Sequence, residues 1–398
     1  MSQNTENIRE LVETYRADML DFFREIVAIP STDSDIGAVG QRVEAELHKL
    51  NYDAVWWDKM GCIVGRIGDE NADIHLLYDS HLDTVGVGDP DEWDWHPFEG
   101  KEEDGILYAR GACDEKASTP GMLYGLAIAR DLGLIPDNMA VYYFGNIEEV
   151  NEGGAANAFV MTEGICPDYV VVGEPTNMRL ARGQKGRVEY QIKATGKSAH
   201  AASNHLGDNA LYKVLPIIEQ IKTMAEDLPT DDFLGDAKMT VTSVEVHAGS
   251  RNVVPGAVTV YVDRRLTAGE DAYEELAKLQ ALVADNPDIS ITIPEFDEPS
   301  YTGFIFPLEM VYPTWVYADD HPFVEACKQI SEMLSLPTET TKWDFSTNGI
   351  YWAGKAKIPT IGFGPGEEQY AHTVLDQVKL EDVIQATIWY ALLPSTLD

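Results

Sequence analysis

The sequence has little positive charge and no long apolar run, and each shortage argues against a class of protein. The 398 residues include 29 lysines and arginines against 67 aspartates and glutamates, a formal net charge of −38. Such a field repels phosphate backbones and anionic membrane surfaces, so we expect no nucleic acid and no membrane partner. No stretch of about 18 apolar residues occurs, which argues against a transmembrane helix.

Cysteine is also scarce, and the spacing of the four cysteines does not fit a thiolate metal site. Cys62, Cys113, Cys166 and Cys327 form no CxxC pair, so we expect reduced thiols rather than disulfides or a thiolate site. The first residues lack the basic start and apolar stretch of a signal peptide. Together these features predict a soluble cytoplasmic protein.

Two common hydrolase motifs are missing as well. The chain has neither the GxSxG elbow of serine hydrolases nor the HExxH helix of single-zinc proteases. A hydrolase on this chain would therefore need another arrangement of side chains.

The order of apolar segments predicts an α/β fold with two domains, as the chain length also suggests. Short apolar runs begin at Cys62, Asp73, Ala140 and Tyr169, and helical patterns lie between some of them. These runs predict a doubly wound, mixed sheet with strands buried on both faces. From about residue 184 a β-α-β-β-α-β order predicts an inserted ferredoxin-like domain, a split βαβ unit. We place the catalytic domain at 1–183 plus 297–398 and the insert at 184–296, and leave the structure of 301–320 open.

Acidic and imidazole side chains follow the predicted strands, where open α/β sheets place their chemistry. They are His81, Asp83, Asp114, Glu148, Glu149, Glu174 and His372. Each alone also fits an ordinary loop or capping residue. Together they supply imidazole and carboxylate ligands for two metal ions, with a short carboxylate to bridge them and a spare one for proton transfer.

The local strings HLD, GACDEK, EE, GEPT and AH, in this order, resemble the M20 family of metallopeptidases and amidohydrolases. That family includes carboxypeptidase G2, acetylornithine deacetylase and succinyl-diaminopimelate desuccinylase, and the resemblance covers essentially the whole chain. The strings RGQKGRVE, DDFLG, DRRLT, YPTW, KWDFSTNG and IGFGPG resemble the YgeY subgroup, described as selenium-metabolism-linked hydrolases. The inserted domain would then be a lid and dimerisation domain.

The resemblance implies a ligand set for two divalent ions. One ion would be bound by His81 and Glu174, the other by Glu149 and His372, and Asp114 would bridge them. Zinc suits mixed imidazole and carboxylate ligands, with cobalt or manganese as alternatives.

The resemblance also implies roles beyond the metals. Asp83 would orient His81, and Glu148 would be the general base. His200 would reach the active site of a second subunit in a homodimer and stabilise the oxyanion, while Asn252 and Arg265 would contact the substrate.

Two positions depart from the commoner family pattern. Asp376 and Gln377 stand where many relatives have an Asp-Glu pair, and Glu115 replaces a usual methionine. Neither position is an expected ligand, so both bear on substrate fit rather than on metal binding.

The sequence predicts a metal-dependent hydrolase that cleaves the amide bond of a small N-acyl or N-carbamoyl amino acid. A dipeptidase or carboxypeptidase using the same site is the alternative, because Arg265 would suit a free carboxylate in either case. A non-catalytic binding protein on this fold is a third reading, and inhibition of an active preparation by a chelator would exclude it.

Overall fold

The structure is a computed structural model that describes residues 2–32, 34–147 and 154–397. Eight α-helices are found in these ranges. They are α1 (Ser2–Ala28), α2 (Gly37–Lys49), α3 (Ser118–Asp131), α4 (Gly154–Glu163), α5 (Ala210–Met224), α6 (Ala272–Ala281), α7 (Pro322–Leu334) and α8 (Leu380–Leu392).

The strands are numbered in chain order over the same ranges. They are β1 (Ala54–Trp57), β2 (Ile63–Ile67), β3 (Ile74–His81), β4 (Lys101–Glu103), β5 (Ile106–Tyr108), β6 (Met139–Asn146), β7 (Tyr169–Val172), β8 (Leu180–Gln184), β9 (Gly186–Thr195), β10 (Thr230–Asp231), β11 (Gly235–Asp236), β12 (Lys238–His247), β13 (Ala257–Leu266), β14 (Ile289–Thr292), β15 (Glu295–Phe296), β16 (Leu308–Glu309), β17 (Val311–Tyr312), β18 (Trp315–Val316), β19 (Thr340–Trp343), β20 (Thr360–Gly362) and β21 (Gln377–Lys379).

A nine-stranded mixed sheet forms the larger part of the molecule. Its strand order is β1-β2-β6-β3-β7-β20-β8-β18, and β19 also pairs with β8. The central strands β6, β3, β7 and β20 are parallel. Strand β2 runs antiparallel to β1 and β6, and β8 runs antiparallel to β20 and β18 but parallel to β19. The predicted α/β class with a mixed sheet is therefore confirmed.

The centre of this sheet is covered on both faces. Every residue of β6 is buried, and β3 is buried from Leu76 to His81. Helix α3 contacts β6, β3 and β2 and packs in turn against α1 and α8. The apolar run AVYYF in β6 is continuous rather than alternating because both faces of this strand are buried.

A second, five-stranded antiparallel sheet has its own hydrophobic core. Its order is β12-β13-β9-β14, with β17 also pairing with β9. Alternate residues of β9 are buried, and they pack with the apolar faces of α5 and α6. The predicted insert at 184–296 thus contains most of this sheet, and β17 joins it from outside that range.

The segment left open by the sequence, 301–320, forms several short pairings. Strand β16 pairs with β15, β17 with β9, and β18 with β8, so the chain passes from the second sheet back to the first. Tyr301 donates its hydroxyl to the carbonyl of Gly61 at 2.6 Å, which anchors the start of this segment.

Cys62, Cys113, Cys166 and Cys327 are free thiols in the structure. Within the described residues, no helix combines the length and apolarity needed to cross a membrane.

Candidate metal centre and substrate pocket

Neighbouring parallel strands bring His81 and Glu174 together. His81 is the last residue of β3, and Glu174 follows β7, the strand paired beside it with Asp79 opposite Val172. Because these strands run the same way, the residues just after their pairing emerge at one edge of the sheet. The His81 Nε2 and Glu174 Oε1 atoms lie 3.7 Å apart, and both side chains are buried.

Asp114 comes to the same edge from a turn that precedes α3. Its Oδ1 lies 2.9 Å from His81 Nε2, and its Oδ2 lies 3.0 Å from His372 Nε2. One carboxylate therefore stands between two imidazoles, each oxygen facing one ring. A carboxylate placed in this way has the geometry of a bridging ligand.

His372 contacts the other oxygen of Asp114. It follows a short 3₁₀ turn, Glu368–Tyr370, and has a left-handed backbone with φ of 59°. Its side chain is 53% exposed, in contrast to the buried His81. Asp114 thus contacts one buried imidazole, that of His81, and one half-exposed imidazole, that of His372.

The ring of His81 is held through its other nitrogen. Its Nδ1 lies 2.9 Å from the backbone oxygen of Asp83 and 3.4 Å from the Asp83 carboxylate. Ser34 in turn donates its hydroxyl to that carboxylate at 3.0 Å. A polar partner on Nδ1 fixes the orientation of an imidazole and directs Nε2 toward a ligand, in this case toward the pocket.

Electrostatics in the cluster favour a cation between these groups. Burial alone would lower the pKa of His81, but Glu115, Asp114 and further carboxylates raise it well above its usual value. Burial would raise the pKa of the Asp114 carboxyl, but hydrogen bonds from His372 and His81 hold it well below its usual range. Carboxylates that stabilise a proton on an imidazole would also stabilise a divalent metal in its place.

The donor atoms fit a metal ion by type and spacing. One ligand atom each from His81, Asp114 and Glu174 lie within 4.8 Å of one another, and all three residues are buried. Imidazole nitrogen and carboxylate oxygen suit zinc and similar divalent ions. The described residues thus contain a candidate site for at least one ion.

Glu148 and Glu149, the predicted base and a predicted ligand, lie outside the described residues. Their roles stay predictions from the sequence.

A cavity of about 490 Å³ opens onto the cluster. Besides the metal-site candidates, residues from both parts of the chain line it. They are Val85, Arg265, Phe345, Ser346, Glu368 and Ala371. Arg265 belongs to β13 of the second sheet, so both sheets contribute to the pocket.

Arg265 lines this cavity, as a substrate-contacting residue would. Its Nε donates to Asp263 Oδ1 at 2.8 Å and its Nη2 to Asp263 Oδ2 at 3.3 Å. Asp263 also accepts a hydrogen bond from Arg187 at 2.8 Å, so it is shared between two guanidinium groups. The Arg265 charge is therefore only partly neutralised.

The two predicted residues near the end of the second sheet stand apart from the cluster. His200 is exposed, accepts the N–H of Ala202 on its Nδ1 at 3.1 Å, and pairs by its backbone with Val253. Asn252 is exposed and accepts the hydroxyl of Ser250. Neither is among the described residues that line the cavity of this chain.

The structure places several residues here to which the sequence assigns no role in the metal centre. Glu115 is buried behind His81 and accepts its backbone N–H, and Phe345, Ser346 and Glu368 form pocket wall. The departure from methionine at Glu115 was visible in the sequence. Phe345 and Ser346 belong to the string KWDFSTNG, which was noted only as a subgroup mark.

A mixed sheet with imidazoles and carboxylates gathered where its parallel strands end is the arrangement of a metal-dependent hydrolase. The model of "Peptidase family M20/M25/M40" matches residues 77–395. The chain belongs to this family, which confirms the resemblance seen in the sequence and makes the protein an enzyme of the metal-dependent peptidase and amidohydrolase class.

Individual relatives support this assignment. The chain is 36% identical over 392 residues to the uncharacterized protein YgeY of Escherichia coli strain K12, covering 97% of this chain and 96% of YgeY. It is 28% identical over 200 residues to the succinyl-diaminopimelate desuccinylase of Legionella pneumophila strain Paris, covering 48% and 52%. Its fold is similar to Bacillus subtilis YXEP, "a dinuclear metal binding peptidase from M20 family", with a TM-score of 0.66, 11% identity and coverage of 96% and 98%.

Proposed function

We propose that the protein hydrolyses the amide bond of a small N-acyl or N-carbamoyl amino acid with two bound divalent ions, most simply zinc. The observation that carries this proposal is Asp114, which lies between His81 and His372 with one oxygen toward each ring, at 2.9 and 3.0 Å. It stands in a pocket that also presents Arg265.

Five side chains would hold the ions. The proposal assigns His81 and Glu174 to one, Glu149 and His372 to the other, and Asp114 to both. The contacts among His81, Asp114, Glu174 and His372 support these assignments, and that of Glu149 depends on the sequence resemblance. Bound ions of this kind polarise an amide carbonyl and make a water molecule more acidic.

Proton transfer is assigned to Glu148. It would accept a proton from the attacking water and deliver it to the nitrogen of the leaving amine. The assignment comes from the sequence, where Glu148 directly precedes the proposed ligand Glu149. The sequence predicts that these two residues follow a strand, and consecutive side chains in extended backbone point in different directions, so one could bind metal while the other faces the water.

Arg265 would hold the carboxylate of the substrate. The guanidinium has five N–H donors and Asp263 uses two of them, which leaves others for a ligand. Asn252 would contact the polar end of the substrate, and His200 would stabilise the oxyanion from a second subunit. The two residues lie on adjoining segments, where the backbone N–H of Ala201 donates to the carbonyl of Asn252 at 2.8 Å.

A dipeptidase or carboxypeptidase is the second candidate, because Arg265 suits the carboxylate of a peptide as well. The test is a turnover screen of metal-loaded enzyme on acetylated, succinylated and carbamoylated amino acids beside dipeptides, with and without a chelator. Hydrolysis of the acylated or carbamoylated set that the chelator abolishes supports the proposal. Cleavage of dipeptides alone would favour the second candidate, and turnover insensitive to the chelator would refute both.

The second sheet offers a surface for a homodimer. Among the strands of the described residues, β12 pairs with β13 alone, and it exposes Val244 and Val246 by 42% and 45%. Helix α5 exposes Tyr212 and Leu215 by 69% and 47%. An unpaired edge strand with apolar side chains is a surface on which a second copy can add its own strand, so we assign the dimer contact to β12 and α5.

A charge on this edge strand tests the dimer. Val246→Lys should convert the dimer to a monomer in sedimentation, because a buried unpaired charge opposes association. Lysine at Val316, which is 39% exposed on β18 of the other sheet, is the matched control and should leave the dimer intact. A wild-type monomer, or an intact dimer in the Val246 variant, would contradict this assignment.

A further inference from the structure

Two turns that carry metal-site candidates are joined by a small sheet away from the pocket. Strands β5 and β21 pair antiparallel, with Gln377 opposite Tyr108. The residue just before β21, Asp376, therefore lies beside the turn that leads from β5 to Asp114.

The Asp376 side chain is fully buried and accepts three hydrogen bonds from that turn. Its Oδ2 accepts the N–H of Gly111 at 2.8 Å and an N–H of Arg110 at 3.1 Å. Its Oδ1 accepts the N–H of Cys113 at 2.8 Å. A buried carboxylate is costly unless such partners offset its desolvation, so its position is closely determined.

Arg110, the charged partner, is itself fixed. It is buried, and its guanidinium carbon lies 5.0 Å from the ring centroid of Trp93. Trp93 meets Trp95 edge to face with ring centroids 5.9 Å apart, and its Nε1 donates to the carbonyl of Val87 at 2.8 Å. The guanidinium group that donates to Asp376 is therefore itself packed against an aromatic ring.

These contacts close a ring that includes two proposed ligands. Cys113, held by Asp376, directly precedes Asp114, whose carboxylate meets His372 at 3.0 Å. His372 in turn lies four residues before Asp376 in the chain. Each turn thus restrains the other, through Asp376 on one side and through the Asp114–His372 contact on the other.

We propose that Asp376 is a positioning residue that sets the spacing of Asp114 and His372 and thereby the affinity of the centre for its metal ions. The proposal rests on the proposed function, because it assumes that these two residues are ligands. Partners behind metal ligands of this kind typically change metal affinity about 10- to 100-fold when removed.

The test measures metal binding without substrate. Metal-free protein competes with a chromophoric chelator for Zn²⁺, and Asp376→Asn should bind Zn²⁺ about 10- to 100-fold more weakly than wild type. The asparagine amide would place its NH₂ group against one of the N–H groups that now donate to the carboxylate, so that hydrogen bond would be lost. Unchanged affinity in this variant would overturn the proposal.

Asp58→Asn is the matched control. Asp58 is also buried and accepts a backbone N–H, that of Cys62 at 2.8 Å, but it does not line the pocket. Its substitution should leave Zn²⁺ affinity unchanged. An equal loss in both variants would show a general effect of losing a buried carboxylate and would overturn the specific role of Asp376.

His81→Ala separates this inference from the proposed function. Weak binding by the His81 variant with wild-type binding by Asp376→Asn overturns the inference alone. Wild-type binding by both variants overturns the metal site itself and the inference with it. Should Asp376→Asn fail to fold, Arg110→Gln removes one of the three donors and should weaken Zn²⁺ binding about 10-fold, and wild-type affinity there would equally overturn the proposal.

Discussion

Arg265→Met should weaken the hydrolysis of substrates that carry a carboxylate and spare those that do not. A hydrogen bond to a charged group contributes about 1.5–3 kcal/mol. At about 1.4 kcal/mol for each factor of ten, its loss corresponds to a fall in kcat/KM of about 10- to 150-fold. The Arg265 side chain is 31% exposed, so solvent screens the interaction and we expect the lower part of this range.

The assay compares two substrates and three proteins. An N-acyl amino acid and its carboxamide are hydrolysed by wild type, by Arg265→Met and by Arg66→Met. Arg66 is a matched control because it is a partly exposed arginine, paired with Glu70 at 3.0 Å, that does not line the pocket. Methionine at Arg265 should reduce kcat/KM for the acid but leave the carboxamide within about twofold of wild type. Equal losses on both substrates would show that Arg265 acts through structure, and no loss on either would remove it from substrate recognition.

Three further predictions concern the base, the second subunit and stability. Glu148→Gln should lower turnover by about 10²- to 10⁴-fold with metal content unchanged, since it removes only a proton acceptor, and near-normal turnover at full metal occupancy would exclude Glu148 as the base. The His200→Ala variant should be nearly inactive alone. Mixed dimers of His200→Ala and Glu148→Gln chains should regain about half of the wild-type activity, because one of the two sites then has both residues. Mixed dimers no more active than their parents would refute action across the interface. Burial raises the pKa of Asp58 from 3.8 to about 6, so the folded state binds the proton more tightly and the free energy of unfolding should fall by up to about 3 kcal/mol as pH rises from about 4 to 6. Chemical denaturation across this pH range should show a flatter profile for Asp58→Asn, and parallel profiles would contradict the shift.

The convergence of the site could be predicted because it depends on local features of the chain. His81 ends one apolar strand and Glu174 follows another, and parallel strands end at one edge of a sheet. The β-α-β-β-α-β order was equally visible, since each element of the second sheet has its own apolar period. The structure brings His81, Glu174, Asp114 and His372 to one pocket, while the metal roles assigned to them stay predictions.

Other features depend on pairings between distant segments, which a single sequence does not reveal. Arg110 and Asp376 meet because β5 pairs with β21, about two thirds of the chain away. In the sequence, Asp376 is visible only as the first residue of a pair whose second residue, Gln377, departs from a family pattern. The pocket wall at Phe345 and Glu368 likewise comes from loops whose path depends on the completed sheet.

Strand β17 shows the same limit for domain boundaries. Its two residues, Val311 and Tyr312, are too short a segment to show a period, yet they pair with β9 of the second sheet. The segment 301–320 could not be assigned from the sequence because its structure comes from such short pairings with both sheets.

In the proposed function, hydrolysis depends on two divalent ions, one held beside His81 and one beside His372, with Asp114 between them. The most direct measurement is the metal content of the purified enzyme together with its turnover, after removal of metal by a chelator and during stepwise return of Zn²⁺. We expect turnover to disappear with the metal and to return as two equivalents bind per chain, and Asp114→Asn to lose both binding and turnover. Turnover that persists in metal-free protein, or full metal binding by Asp114→Asn, would contradict it.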